Sequence, residues 1–243
     1  LRSLIIAGAS ILGSVAFLKL ISPLFNCLAE GGDEVGKGSP KLDFQLTFSI
    51  IVAIVIGLFL GYTLIPGGAT GTIDSIVTYV LGLLLLAVGI SLGLNKQIYR
   101  QVSSMGMSII LLPLGIAAGS ILGPLAISFL LRLTPFETAA VGAGFGWYSL
   151  SAILLTELHG PELGATAFLT NIFRETLTFI FLPFTAKFLG KLVSIAPGGA
   201  TTMDVTLPLL KEIWGKEVIL PAFFSGAILS SLVPFVVPLL ISI

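Results

Sequence analysis

The chain has 243 residues, of which 56% are hydrophobic and only 10% are charged, and its formal net charge is zero. Soluble domains carry roughly 25% charged residues, so this composition, with a mean hydropathy of +1.10, excludes a soluble globular protein. Twelve basic residues balance twelve acidic ones, so there is no basic excess for nucleic-acid binding. A single histidine, His159, argues against a histidine-based metal site, and no cofactor is expected.

Apolar segments long enough to cross a bilayer, about 20 residues each, recur along the whole chain. Six of them predict transmembrane helices: 3–26, 45–65, 74–95, 106–131, 164–186 and 217–242. Two others, 138–157 and 198–212, are interrupted by glycine and polar residues and predict broken or re-entrant segments. Glycines at 115, 119 and 123 predict close packing against another helix. The sequence therefore predicts an all-α polytopic membrane protein, not an enzyme, with one transmembrane domain.

A short internal repeat relates two of the predicted helices. The stretch AGASILGSVAFL (7–18) resembles AAGSILGPLAISFL (117–130), with SILG in common. The second copy ends a triad of helices, so the first copy reads as the last helix of an earlier, truncated triad. Two helices are then expected ahead of it, either removed or supplied by a separately encoded polypeptide. Consecutive triads would have opposite orientations, which predicts the inverted-repeat architecture of secondary transporters. The domain divides into 1–26, 45–131 and a half with the broken segments, 138–243.

Basic residues predict how the helices are oriented. The loops 27–44 and 96–105 carry four lysines and arginines in all, so the positive-inside rule places them in the cytoplasm. Lys187 and Lys191 are then cytoplasmic too, if the first broken segment enters and leaves on one face. By the same logic the second broken segment is re-entrant from the cytoplasm. The carboxyl end is expected outside the cytoplasm of a plasma-membrane protein.

Two adjacent charges lie within the predicted helix 164–186. Asn171, Arg174, Glu175 and Thr178 fall in one helical stripe about 100° wide. An ionised side chain at the centre of a membrane helix costs about 2.5–3.5 kcal/mol on insertion scales, so these charges need partners. They either neutralise each other and join two helices, or they line the path of a substrate or ion.

The second group of polar residues lies in GGATTMDVTLP, residues 198–208. Thr201, Thr202 and Asp204 bring oxygens into a segment whose glycines and proline disfavour regular helix. Broken backbone beside a carboxylate is how transporters build a cation site. The alternative is a surface loop in which Asp204 caps the following helix.

The third group follows three alternating glycines at 142, 144 and 146. Trp147, Tyr148 and Ser149 come next, and this order suits a backbone that bends against a ligand. The aromatic pair could equally anchor the chain at the membrane interface. The glycine spacing does not match a dinucleotide fingerprint. No G-x-S-x-G turn accompanies the lone histidine, so an intramembrane hydrolase has no support.

Three motifs together resemble the LysO-type lysine exporter family. They are GFGWYSLSAILLTELHGPELGATAF, N-x-x-R-E at 171–175 and G-A-T-T-M-D-x-T-L-P at 199–208. The resemblance runs from about residue 46 to the end, and the first helix fits as the family's third. It implies export of L-lysine and its toxic analogues from the cytoplasm. It also implies that the acidic residues of the second and third motifs, here Glu175 and Asp204, are required.

Lysine carries two ammonium groups and one carboxylate, which suits two membrane-embedded carboxylates. Glu175 and Asp204 are expected to bind the ammonium groups or exchange them for protons, while Arg174 tunes the charge. Neutral contacts are expected from Asn171, Thr201, Thr202, Trp147, Tyr148 and Ser149. One rival is a sodium- or proton-coupled carrier of another small organic solute. Transport that depends on sodium would favour this rival. A second is a non-transporting membrane subunit, in which exchanging Arg174 and Glu175 would be harmless. The sequence also leaves open whether the chain forms a homo-oligomer.

Overall fold

The structure, a computed structural model, describes residues 1–28 and 108–242 and a few single positions between them. Every regular element within these ranges is helical, which confirms the predicted all-α membrane fold. The predicted helices 45–65 and 74–95 lie outside the described ranges.

Seven α-helices, numbered here in chain order, account for the four long helices predicted in the described ranges and for parts of both broken segments. They are α1 (Arg2–Leu28), α2 (Ser108–Ala126), α3 (Pro135–Gly142), α4 (Tyr148–His159), α5 (Pro161–Leu189), α6 (Leu207–Trp214) and α7 (Ile219–Ile241). Short 3₁₀ turns cover Ser128–Leu130, Val193–Ile195, Gly199–Met203 and Lys216–Val218.

Three described segments are long and apolar enough to cross a bilayer: Arg2–Pro23, Ile109–Ala126 and Lys216–Ile241. The helix α5 has 29 residues and is therefore about 43 Å long at 1.5 Å per residue. That length exceeds the roughly 30 Å hydrocarbon thickness of a bilayer. Besides Glu162 and Lys187 near its two ends, it carries Asn171, Arg174 and Glu175 near its middle.

The helices α1 and α2 form an antiparallel pair whose backbones touch. A side chain added at Gly115 would meet Leu18, whereas one added two turns later, at Gly123, would meet the main chain of Ala9 and Gly13. Since later positions of α2 contact earlier positions of α1, the two helices run in opposite directions. The predicted close packing of the α2 glycines is confirmed, because a Cβ at Gly123 would strike main-chain atoms.

The first predicted broken segment is a helical hairpin made of α3 and α4, called the first hairpin (135–159). Thr134 starts it with a capping box, in which its Oγ1 accepts from the N–H of Glu137 and Glu137 Oε2 accepts from the N–H of Thr134. The two ends of the hairpin lie side by side, because Glu137 Oε1 and His159 Nε2 are 3.1 Å apart. With 8 and 12 residues, its helices are about 12 and 18 Å long, too short to span a bilayer.

The second predicted broken segment is a less regular hairpin, called the second hairpin (191–217). Its first arm consists of 3₁₀ turns and irregular backbone, and its second arm is α6. An ion pair between Lys191 and Glu217 joins its two ends. The 3₁₀ turn Gly199–Met203 packs on α7, where a side chain added at Gly226 would meet the N–H of Met203. Each hairpin is thus held together at its mouth, the end where the chain enters and leaves.

The helix α5 places the two hairpins opposite each other. It begins directly after the first hairpin and ends directly before the second. The two mouths therefore lie at opposite ends of a helix about 43 Å long, while the two tips, residues 143–147 and 196–206, meet beside its middle.

Candidate functional site

The two hairpin tips touch through their backbones. The N–H of Ala200 donates to the carbonyl oxygen of Phe145 at 2.8 Å. Both tips use left-handed backbone, with φ of 51° at Phe145, 108° at Gly146 and 61° at Gly199. A side chain at Gly199 would strike the Phe145 carbonyl oxygen, so glycine there permits both the turn and the close approach. Phe145 is fully buried, and its surroundings hold a conformation that is uncommon for a non-glycine residue.

Asn171, on α5, supports the tip of the first hairpin. Its Oδ1 accepts from the N–H of Gly146 at 2.7 Å. Its Nδ2 donates to Ser151 Oγ at 3.1 Å and to the carbonyl of Ala167 at 2.9 Å. The side chain is 1% exposed. Its amide is therefore engaged in holding the turn at Gly146 in place.

Arg174 is 1% exposed, and neutral acceptors surround its guanidinium. Its Nε donates to the carbonyl of Pro197 at 3.0 Å and its Nη2 to that of Ala196 at 2.9 Å. Its Nη1 donates to Ser10 Oγ at 2.8 Å and to Ser120 Oγ at 2.9 Å. No carboxylate among the described residues lies within ion-pair distance of this guanidinium.

Glu175 and Asp204 line one cavity of about 160 Å³ between the hairpin tips. Neighbouring helix positions point about 100° apart, so Glu175 reaches this cavity while Arg174 reaches α1 and α2. The contact pair of Arg174 and Glu175, one of the two sequence alternatives, is not formed. Glu175 Oε2 is buried, and no described group donates a hydrogen bond to it. Asp204 Oδ1 accepts from the N–H of Val205 at 2.6 Å.

A buried carboxylate oxygen without a donor is costly in free energy. A cation, or a proton on the carboxyl group, would relieve that cost at Glu175. The cavity is smaller than the roughly 300–1,000 Å³ of a pocket for a drug-sized ligand. It therefore suits a small cation or one charged end of an amino acid. Among the described residues, no group of three or more His, Cys, Asp or Glu side chains is placed to hold a metal ion.

Six of the nine predicted site residues line this cavity: Trp147, Tyr148, Ser149, Glu175, Thr201 and Asp204. The other three do not line the cavity and instead form hydrogen bonds to surrounding parts of the protein. Asn171 and Arg174 bond to the hairpin tips as described, and Thr202 Oγ1 lies 2.7 Å from the carbonyl oxygen of Gly199 and 2.9 Å from that of Ala222. Asp204 does not cap α6, because Thr206 occupies that capping position.

The cavity wall also contains residues that the sequence did not single out as site residues: Gly146, Ala200, Met203, Val205 and Ser230. Ser230 lies on α7, in a segment that reads as an ordinary apolar span, so no local pattern marks it. The two serines that accept from Arg174 were missed as well. Their signal was present, since both begin a copy of the repeated SILG.

Comparison with known proteins decides the family. The family described as lysine exporter LysO matches residues 51–241. The chain belongs to this family. This match confirms the resemblance that the three motifs indicated. The members of the LysO family are described as transporters.

Two curated relatives extend this result. The lysine exporter LysO of Escherichia coli (strain K12) is 38% identical over 162 residues, which cover 65% of this chain and 52% of the relative. The putative lysine exporter of Haemophilus influenzae (strain Rd) is 30% identical over 191 residues, which cover 76% of this chain and 92% of the relative. The chain therefore spans about half of the length of the Escherichia coli relative. No solved structure matches it.

Proposed function

We propose that this chain acts in a secondary transporter that exports L-lysine and lysine analogues from the cytoplasm by proton antiport. Two observations support the proposal beyond family membership. Two carboxylates, Glu175 and Asp204, face one cavity between opposed hairpin tips, and none of the described residues donates a hydrogen bond to a buried oxygen of Glu175. The second observation carries the mechanism, because such an oxygen binds a cation or a proton but not both.

In this mechanism, lysine and protons compete for the same carboxylates. An ammonium group of lysine, which donates hydrogen bonds, enters between Glu175 and Asp204 and is released when a proton takes its place. Charge-assisted hydrogen bonds of this kind are stronger than neutral ones. Thr201 and Ser149, which line the same cavity, provide neutral hydroxyl groups beside the carboxylates.

Proton exchange also supplies the driving force. Moving one positive charge outward against an inside-negative potential costs about 2.3 kcal/mol per 100 mV. A proton that moves inward in the same cycle offsets that cost. Coupling at shared carboxylates therefore allows export against both the potential and a lysine gradient.

Basic residues support an orientation for the proposed exporter. Lys187, Lys191 and Lys216 lie near the mouth of the second hairpin, and the positive-inside rule places that mouth in the cytoplasm. The helix α7 starts beside this mouth and has 23 residues, about 34 Å at 1.5 Å per residue. The carboxyl end is then outside the cytoplasm, and the two hairpins are re-entrant from opposite faces.

The test is lysine counterflow in proteoliposomes, using this chain with and without the amino-terminal helices of a LysO relative. We expect labelled lysine to accumulate against preloaded lysine, with protons moving in the opposite direction as read by an internal pH dye. Glu175→Gln and Asp204→Asn should each lower the rate at least about 100-fold, because removing one partner of a buried charge contact costs about 3–5 kcal/mol. Glu212→Gln, an exposed carboxylate on α6, is the matched control and should leave the rate unchanged.

Each other outcome has a clear reading. Sodium-dependent transport of another solute, with no response to lysine, would favour the second kind of carrier. Counterflow only with the added helices would show that amino-terminal helices are needed to complete the transporter. If both carboxylate variants retained wild-type counterflow, the shared-carboxylate mechanism would be wrong.

A further inference from the structure

One guanidinium connects four separate parts of the chain. Arg174 lies on α5, and its donors reach Ser10 on α1, Ser120 on α2 and the carbonyls of Ala196 and Pro197 in the second hairpin. Ser10 is 1% exposed and Ser120 is fully buried. Water is therefore not available to replace these contacts.

The two serines hold equivalent positions in the repeat. Each is the first residue of SILG, in α1 and in α2. Ser10 Oγ also lies 3.2 Å from the carbonyl oxygen of Ser120, so the antiparallel helices meet where both serines face Arg174. The repeated tetrapeptide thus supplies two matching hydroxyl groups to a single side chain.

We infer that Ser10 and Ser120, called the serine pair, are positioning residues of the carboxylate cavity that act through Arg174. The inference rests on the proposed function, since it concerns how the carboxylates stay available to a cation. The serine pair engages Nη1, and the carbonyls of residues 196 and 197 engage the rest of the guanidinium. Arg174 is thereby kept away from Glu175, which follows it in the chain.

Removing the serine hydroxyls would redirect the arginine. Its Nη1 would then be a buried donor without an acceptor, which is costly. The strongest acceptor nearby is the carboxylate of Glu175, whose Oε2 has no donor among the described residues. An arginine bound there would neutralise Glu175 and compete with the ammonium group of lysine. The serine pair therefore maintains the affinity for the cation rather than the speed of the conformational steps.

Ser14 provides a matched control on the same helix. It is fully buried one turn after Ser10 and adjoins the same helix crossing, but its Oγ donates to the carbonyl of Ile11 in its own helix at 2.8 Å. The variants Ser10→Ala, Ser120→Ala and the double variant are compared with Ser14→Ala. Monodisperse elution from a sizing column is required of each variant, and the single variants serve if the double variant fails to fold.

The first readout is the lysine concentration dependence of counterflow. We expect the double variant to raise KM about tenfold, equivalent to about 1.4 kcal/mol, with a maximal rate within about twofold of wild type. Ser14→Ala should leave both parameters unchanged. In an Arg174→Gln background the serine substitutions should have no further effect, because the side chain through which they act is missing. Additive effects in that background would mean that the serines act by packing, which overturns the inference.

The second readout does not require transport. Hydrogen exchange of the backbone amides in 196–206 should be faster in the double variant than in Ser14→Ala, because the second hairpin loses its hold on α5 through Arg174. Equal exchange in the two variants contradicts the inference. If the wild-type chain shows no lysine counterflow even with the added amino-terminal helices, the proposed function fails, and the exchange result still decides whether the serine pair positions the tip.

Discussion

The two hairpins are alike at their mouths and tips but differ in the regularity of their arms and in the charge of their tips. Both are held together at the mouth by an acid–base contact, and both end in a tip with left-handed backbone. The first hairpin has two regular helical arms and no charged residue in its tip. The second has one irregular arm and carries Asp204. Regular helix is lost in the arm whose carbonyls, at residues 196 and 197, accept from Arg174, and such backbone is tolerated at membrane depth where it is buried in protein.

The support from α5 differs in the same way. Asn171, a neutral amide, holds the first tip, whereas Arg174, a cation, holds the second. The first hairpin is therefore a neutral wall of the cavity, and the second is the wall with the charge. This comparison makes three predictions about stability, given from the largest expected effect to the smallest.

Gly199→Ala should have the largest effect, because it separates the two tips. The added Cβ would strike the Phe145 carbonyl oxygen and would also occupy a left-handed backbone with φ of 61°. We expect the free energy of unfolding to fall by about 3 kcal/mol or more, measured by chemical denaturation in detergent.

The control for Gly199→Ala is Gly190→Ala. Gly190 has φ of 77° and ψ of 166°, but a Cβ there meets nothing within 4 Å, so only the backbone cost of about 1–3 kcal/mol applies. Equal losses in the two variants would show that contact between the tips adds no stability.

Asn171→Ala should have an intermediate effect on the first hairpin alone. It leaves the N–H of Gly146 buried without its acceptor, which costs about 1–3 kcal/mol. Hydrogen exchange should become faster at residues 143–147 and, within residues 196–206, only at Ala200, whose N–H donates to the Phe145 carbonyl. Thr178→Ala is the control, because Thr178 is equally buried but bonds to its own helix. Faster exchange in both tips would mean that they open as one unit.

The contacts at the mouths should matter least. Each contact has one exposed side chain, Glu217 at 66% or His159 at 44%, and one mostly buried side chain. Because water reaches one partner of each contact, we expect a contribution of about 0–1 kcal/mol, as for exposed pairs. Lys191→Ala and His159→Ala should each lower the midpoint of thermal unfolding by only a small amount, and the effect of Lys191→Ala should shrink further in high salt. If the free energy of unfolding fell by more than about 2 kcal/mol in either variant, the contacts at the mouths would stabilise the hairpins more than the contacts at the tips do.

The sequence predicted the elements better than their contacts. The four long helices of the described ranges and both broken segments follow from apolar length and from glycine, proline and charge within it. The meeting of the tips does not, because the hydrogen bond from Ala200 to Phe145 joins residues that no local pattern relates. The left-handed conformation of Phe145 also has no signal in its residue type.

The candidate site shows the same limit. Helical periodicity placed Asn171, Arg174 and Glu175 on one stripe. Asn171 and Arg174 are buried, whereas Glu175, of intermediate burial, lines the cavity. Periodicity could not distinguish a residue that lines the cavity from one that bonds to neighbouring helices, because the direction of each side chain depends on partners far away in the chain. The Arg174 partners Ser10 and Ser120 are 164 and 54 residues away. The repeated SILG was the one sequence feature that pointed to them.

The separation between Arg174 and its partners has a consequence for the order of synthesis. Ribosomes add roughly 5–20 residues per second, so the 164 residues between Ser10 and Arg174 correspond to about 8–33 seconds. When Arg174 emerges, both serine hydroxyls have already been made, whereas the carbonyls of 196 and 197 follow within about 1–5 seconds. Arg174, a side chain whose burial in a membrane costs much free energy, is thus synthesised after two of its hydrogen-bond acceptors and shortly before the other two.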